Sequence, residues 1–436
     1  MIAACTFLGA GATGGAASTP VCAVTTTTPT PPRDRPSYVL RIDVEPGLMR
    51  VHGTSTVSFA PGVATDRIVF RLWPNSPFYA RRGARLTVDR LRAAGRRLAV
   101  SRPDPTTLVV RRALAARKRV TISMRWTLRL PRAAGLQLHG GNSLRLVSFF
   151  PLLAWNGSGW ATEAPVRLDS FWPTSPTSDF DVHLTAPAGL TVLASGEEVS
   201  HGHWRARAVR DFAAAVGSFR LVRSTIRAPR PVRLTVGLER GSAYDPRAFL
   251  ASAATALRFY ARRYGDYPWS TYSLAAMNDF DGLSGTAYPT IGFLSDRSLA
   301  LVPHETAHQW FASLVGNDQS RDPWLSEGLA TWAQAGLEQS LAAMLGTTIP
   351  SPLRNRIGEP MRFWQSYDFE AMRRGLYVQS AQALASLGSS ARVDCALRRF
   401  VVRNAYGTAT PDDLLTALVP DFPRAEQTLR ARGARF

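Results

Sequence analysis

From Tyr38 to about Phe219, apolar and polar positions alternate with period two. The runs "YVLRIDVEP", "STVSFAP", "RIVFRLWPN", "RVTISMRWTLRLP" and "DFDVHLTAP" are rich in β-branched and aromatic residues and close on Pro, Gly or Asn. Successive side chains of a strand point to opposite faces, so this texture predicts half-buried strands. No helical period intervenes, which predicts a mostly antiparallel β domain. Near residue 230 the period changes. "DPRAFLASAATALRFYARRYG" sets apolar residues at helical spacing between an Asp–Pro entry and a closing glycine. "YPWSTYSLAAMNDF" returns to strand character, and beyond Arg297 nearly everything reads as helix. The expected class is α+β: a tail and Thr/Pro-rich linker at 1–37, a β domain at 38–228, and a strand-then-helix domain at 229–436.

Composition changes this picture little. A chain of 436 residues with 45% hydrophobic residues and 11 tryptophans is enough for two or three packed cores. No run of 18 apolar residues appears, so nothing spans a membrane as written. The net charge of +20 invites a polyanion partner. However, Lys118 is the only lysine among 52 basic residues, and the arginines are scattered. That pattern fits a compositional bias toward arginine on a solvated surface, and no nucleic acid is expected.

The first 32 residues carry no charged side chain. "IAAC" (Ile2 to Cys5) has the form of a bacterial lipoprotein processing site, although no basic region or apolar core precedes it. Membrane attachment through a lipidated Cys5 competes with a plain Gly/Ala/Thr tail. "TTTTPTPPRDRP" (Thr25 to Pro36) reads as a stiff, extended spacer. Together these features predict an extracytoplasmic protein, secreted or held at the surface of a bacterium. Cys22 and Cys395 bring the cysteine count to three, too few for a disulfide framework.

The chemistry is concentrated in "PHETAHQWFASLVGNDQSRDPWLSEGLATW" (Pro303 to Trp332), where His304 and His308 stand four apart around Glu305. Residues four apart share one face of a helix, so both imidazoles reach a single point. This is how H-E-x-x-H holds zinc, with the glutamate beside the metal's water but off the metal. Glu327 follows His308 after 18 residues and is the natural third ligand. Asp322–Pro323 would open its helix as cap and first residue. Pro303 predicts that the first helix begins there. Buried core histidines are the bland alternative. A chance H-E-x-x-H arises in roughly one such chain in several hundred, and the added glutamate lowers this to on the order of one in ten thousand. One Zn2+ per chain, held by His304, His308 and Glu327, is expected.

These residues resemble the gluzincin zinc aminopeptidases of the aminopeptidase N and leukotriene A4 hydrolase type. "HETAHQWFASLVGN" is similar to their H-E-x-x-H-x-W helix, and "DPWLSEGLATW" to their W-L-N-E-G-F-A segment with the same 18-residue spacing. "RIVFRLWPN" and "FDVHLTAPAGLTVLASGE" resemble their N-terminal β domain. "LYVQSAQALASLG" and "YGTATPDDLLTAL" resemble the end of their catalytic domain. The likeness spans about residues 38 to 436, and the family's C-terminal helical superdomain has no counterpart in it. It implies a saddle-like antiparallel β domain followed by a thermolysin-like zinc catalytic domain, mostly helical with a small sheet. It also implies a peptide or protein substrate, Glu305 as general base and Tyr377 as oxyanion stabiliser. Tyr377 lies 50 residues after Glu327, somewhat closer than the family spacing, and Tyr367 is the runner-up.

The likeness breaks at one strand. Family members carry G-x-M-E-N, whose glutamate pairs with the substrate's free amino group. Here the stretch is "SGTAYPTIGF", in which Gly285 and Tyr288 fit while Thr286 and Ala287 replace methionine and glutamate. Backbone pairing of Gly285, Thr286, Ala287 and Tyr288 with an extended peptide remains expected. A methyl group cannot hold an ammonium ion, so Asp279, Asp281 or Glu163 are candidate substitutes. Gln334 stands where a second glutamate is common and is expected to retune the zinc site from its outer shell. An aminopeptidase-like hydrolase, an endopeptidase or narrow-specificity hydrolase, a zinc-binding pseudoenzyme and a basic polyanion-binding surface protein all stay open. The intact general base argues against the pseudoenzyme.

Overall fold

The computed structural model describes residues 22–130, 143–168, 175–278 and 284–436. The period-two region forms an eight-stranded sheet in the order Glu197–Ser200, His203–Val209, Ser178–Thr185, Ser37–Val44, Arg50–Phe59, Val120–Arg129, Arg85–Ala93 and Arg96–Arg97. Alternation does what the pattern requires: Tyr38, Leu40, Ile42 and Val44 are buried, and the residues between them are more open. Pairing in this sheet is antiparallel except where Ser37–Val44 runs parallel to Ser178–Thr185. Aromatic rings from separate strands and connections interlock beneath it. Tyr38 stacks on Phe180 at 4.6 Å, and Trp126 meets Phe149 edge-on at 5.9 Å. Two smaller sheets, of four strands and three, complete the β region.

Strand pairing shifts the domain division. Phe219–Arg227 pairs residue for residue with Pro231–Glu239, so residue 228 falls in a hairpin turn. Both strands belong to a five-stranded mixed sheet with Thr271–Met277, Ile291–Ser295 and, at its edge, Gly285–Tyr288. The sheet of the second domain therefore starts at Phe219. Two prolines around Arg230 lend the turn the composition of a linker.

Helix Pro246–Tyr264 forms as its entry predicts. Asp245 accepts a hydrogen bond from the Arg247 N–H, and Gly265, at φ 116°, ends it. Its buried face carries Phe249, Ala253, Leu257 and Tyr260. The chain beyond Arg297 is predominantly helical. Among the described residues no helix is long and apolar enough to cross a membrane.

The N-terminal segment adds one cross-link and corrects one expectation. Cys22 and Cys395 form a disulfide across 373 residues, a separation no spacing motif reveals. The Thr/Pro stretch is not a free spacer but a strap laid along the helical domain. The Asp266 N–H donates to the Thr26 carbonyl at 2.7 Å, the Thr28 hydroxyl to the Asp266 carbonyl at 2.7 Å, and Arg398 to the Val24 carbonyl at 3.2 Å. Cys5, Asp279 and Asp281 lie outside the described residues.

Candidate metal centre

Helix Val302–Ala307 carries Pro303 in its first turn, as expected, and His308 at its end. Aromatic contacts clamp it in place. The Tyr260 hydroxyl donates to the Pro303 carbonyl at 3.1 Å, and the Trp310 indole N–H donates to the Gly265 carbonyl at 2.8 Å. One helical turn brings the His304 and His308 rings to 4.8 Å, nearly perpendicular at 87°. Glu327 comes from the first turn of helix Trp324–Glu338. Its Oε2 lies 3.3 Å from His304 Nε2 and 3.4 Å from His308 Nε2. Asp322 does not cap that helix: Pro323 takes the cap position, and no side chain closes the turn. The first turn instead closes on the Asp322 backbone, whose carbonyl accepts the Leu325 N–H at 3.1 Å.

The donors fit zinc. Ligands at about 2.0–2.2 Å in a tetrahedral array stand roughly 3.3–3.6 Å from one another, the range of both histidine–carboxylate spacings here. His308 Nδ1 lies 3.0 Å from the Phe311 carbonyl, which fixes that nitrogen as the donor and leaves Nε2 free to ligate. Burial alone would raise the Glu327 carboxyl, but His308 and His304 outweigh it and hold the group at about 2. A buried carboxylate between two imidazole nitrogens is a donor set suited to a cation.

Gly328, next to the third ligand, permits a close helix crossing. A Cβ there would lie 2.3 Å from the Ser380 Cβ on helix Gln379–Ala385. Immediately before that helix, the wider turn Arg373–Val378 holds Tyr377 over His304, with ring centroids 5.9 Å apart. Burial, then the Glu327 and Glu305 charges, push the Tyr377 hydroxyl well above its ordinary value, so it remains a donor. Tyr367 packs instead against Phe363 and Trp364, at 5.2 and 6.5 Å, and does not reach the cavity over the site.

Residues 293–429 match the peptidase family M1 domain. This segment is an M1 peptidase domain. Aminopeptidase RNPEPL1 of Mus musculus is 26% identical over 204 residues, covering 39% of this chain and 28% of the relative. Aminopeptidase B of Rattus norvegicus is 36% identical over 78 residues, 16% of this chain and 12% of the relative. The chain thus spans less than a third of the length of these curated relatives. Solved structures extend the likeness in fold. The M1 zinc metallopeptidase of Deinococcus radiodurans superposes with TM-score 0.69 at 20% identity, over 94% of this chain and 97% of that one. A two-domain M1 zinc metallopeptidase variant bound to L-arginine gives 0.68 at 19%, over 94% and 97%. The α+β class, a β domain followed by a helical catalytic domain with a small sheet, is that of these structures.

Within the M1 domain, Glu305 is buried, and its Oε2 has no hydrogen-bond partner among the described residues. Burial raises its carboxyl above the ordinary value despite the pull of His308, His304 and Arg145. Gly285 is there to make room. A Cβ on it would lie 2.4 Å from Glu305 Oε1 and 2.8 Å from Cγ and Cδ. Gly285, Thr286, Ala287 and Tyr288 form the edge strand and line a cavity of about 950 Å³ with His304, Glu305, His308, Glu327 and Tyr377. Glu163 does not line this cavity; its backbone carbonyl accepts from Arg71 at 3.0 Å. Gln334 lines it, yet its amide donates to Glu338 and the Ala300 carbonyl, not to a zinc ligand.

Arg145, Ser148 and Asp211 are among the lining residues that the sequence did not single out. Burial lifts the Asp211 carboxyl to about 7 against hydrogen bonds from Ser148 and the Phe212 N–H. An available sequence signal was "SLRLVSFF", where an arginine and a serine interrupt a largely apolar run.

Proposed function

We propose that the chain hydrolyses peptide bonds as a zinc-dependent, aminopeptidase-like enzyme. The observation that carries this is the convergence of His304, His308 and Glu327 at tetrahedral spacing beside a buried, unpartnered Glu305 oxygen. Zinc bound by those three residues would acidify a water and polarise the scissile carbonyl. Glu305 Oε2, buried and unpartnered, is placed to accept a proton from an attacking water and would return it to the departing amine. The Tyr377 hydroxyl donates to the oxygen that becomes negative in the transition state. The edge strand Gly285–Tyr288 aligns an extended substrate by backbone pairing.

Ala287 favours a second reading. Of the carboxyls lining the cavity, Glu305 and Glu327 are committed to the centre, and Glu370 is engaged by Arg373 and Arg374. Asp211 already accepts from Ser148 and Phe212. Among the described residues this leaves no carboxylate assigned to a substrate ammonium, and supports cleavage at internal bonds. Mass analysis of products from matched free and N-acetylated peptides, with and without chelator, separates the readings. Single-residue release from free peptides alone means an aminopeptidase, internal cuts in both an endopeptidase, and no chelator-sensitive cut refutes peptidase activity. We further propose an extracytoplasmic location, supported by the Cys22–Cys395 disulfide, which persists in oxidising compartments.

A further inference from the structure

A second group of metal-ligating side chains stands on the outward face of the large β sheet. Asp181 and His183 are two apart on Ser178–Thr185 and so point to the same side. His203, on His203–Val209, is paired directly opposite His183. Side chains so paired have Cβ atoms about 4.5–5.5 Å apart, within reach of one shared ion. Here His203 Nε2 lies 2.9 Å from Asp181 Oδ1, and His183 Nε2 lies 3.8 Å from the same oxygen. One donor atom from each residue falls within 4.8 Å of the other two. The imidazoles lie nearly parallel, 4.2 Å between centroids.

A hydrogen bond from His203 to Asp181 explains one of these contacts. It does not explain why His183, 45% exposed and free to turn toward water, aims its Nε2 at the same oxygen. We propose that Asp181, His183 and His203 form a second metal site. Two imidazoles and one carboxylate suit a borderline divalent ion such as Zn2+, Ni2+ or Cu2+, not Ca2+ or Mg2+, which prefer all-oxygen shells. Arg205 Nε approaches Asp181 Oδ2 at 3.4 Å and leaves Oδ1 to the ion. Parallel rings must rotate for their lone pairs to converge, and the exposed His183 has the freedom to do so. Arg41, paired beside His183, and Arg205 oppose a cation electrostatically, so this site is weaker than the buried centre. Three protein donors leave a position open to water or to a ligand from another molecule.

Protein loaded with one zinc per chain is titrated with Zn2+ by calorimetry, and with Cu2+ followed by electron paramagnetic resonance. The wild type should take up a second equivalent, and the Cu2+ signal should show coupling to imidazole nitrogen. His183→Ala/His203→Ala should lose the second equivalent while hydrolysing peptide as the wild type does. Asp181→Asn should weaken binding at least tenfold. If the double variant does not fold, His183→Asn, at a half-exposed position, must weaken binding at least tenfold. A wild type that stops at one equivalent, or a second equivalent that survives loss of these histidines, overturns the proposal.

Discussion

Gly285→Ala isolates one steric contact at the heart of the centre. The glycine has an ordinary φ, so alanine brings no backbone strain, only a methyl group. That methyl would lie 2.4 Å from Glu305 Oε1, where real contacts keep beyond 3.0 Å. Either the carboxylate or the edge strand must move by about 0.6–1 Å. A displacement of about 1 Å at a reacting group costs roughly 10²-fold, or about 2.7 kcal/mol of barrier. The expected result is a 30- to 100-fold fall in kcat (about 2–2.7 kcal/mol), with one zinc per chain by elemental analysis and an unchanged circular dichroism spectrum. Glu305→Asp shortens the acid and clears the contact, so adding Gly285→Ala to it should cost less than fivefold, a coupling a double-mutant cycle reads directly. If Gly285→Ala retains kcat within threefold with metal bound, the positioning of Glu305 by this strand is refuted.

The other predictions follow from the same geometry. Glu305→Gln should keep the zinc and lower turnover by about 10²–10⁴; near-normal hydrolysis removes Glu305 from proton transfer. Tyr377→Phe should cost about 10²–10³ in kcat, while Tyr367→Phe, confined to its aromatic cluster, should cost less than fivefold. The reverse ranking would exchange their roles. Ala287→Glu places a carboxylate on the edge strand and should raise kcat/KM for free over acetylated peptides at least tenfold; an unchanged ratio means the substrate amine lies elsewhere. Cys22→Ser/Cys395→Ser should lower stability by about 2–5 kcal/mol in urea denaturation. Coincident curves would show that the cross-link contributes nothing.

The zinc residues were legible because their geometry is local. His304 and His308 need only one helical turn, and the fixed interval to Glu327 spans a single connection. The strands were legible for a similar reason, since alternation is imposed by each strand's own pleat. What remained hidden depends on residues far apart in the chain. The Cys22–Cys395 bridge joins the two ends, and Arg145 and Asp211 enter the cavity only once separate sheets close around it. The hairpin across residue 228 was obscured because prolines signal a turn without saying whether the chain returns to the same sheet. Gln334 shows the limit of positional analogy: its place on the helix matched, but its amide was claimed by Glu338.

The strap at the N-terminus alters how the molecule carries mechanical load. With Cys22 joined to Cys395 on helix Ser390–Asn404, tension applied upstream of residue 22 passes straight into the catalytic half. The β domain lies within the closed covalent loop and bears none of it. Reduction of the bridge would leave only the hydrogen bonds of Val24, Thr26 and Thr28 to hold the strap, and once they part the pull passes through Pro36 into the strand Ser37–Val44, at the centre of the large sheet. Redox state thus selects which half of the molecule resists being drawn out.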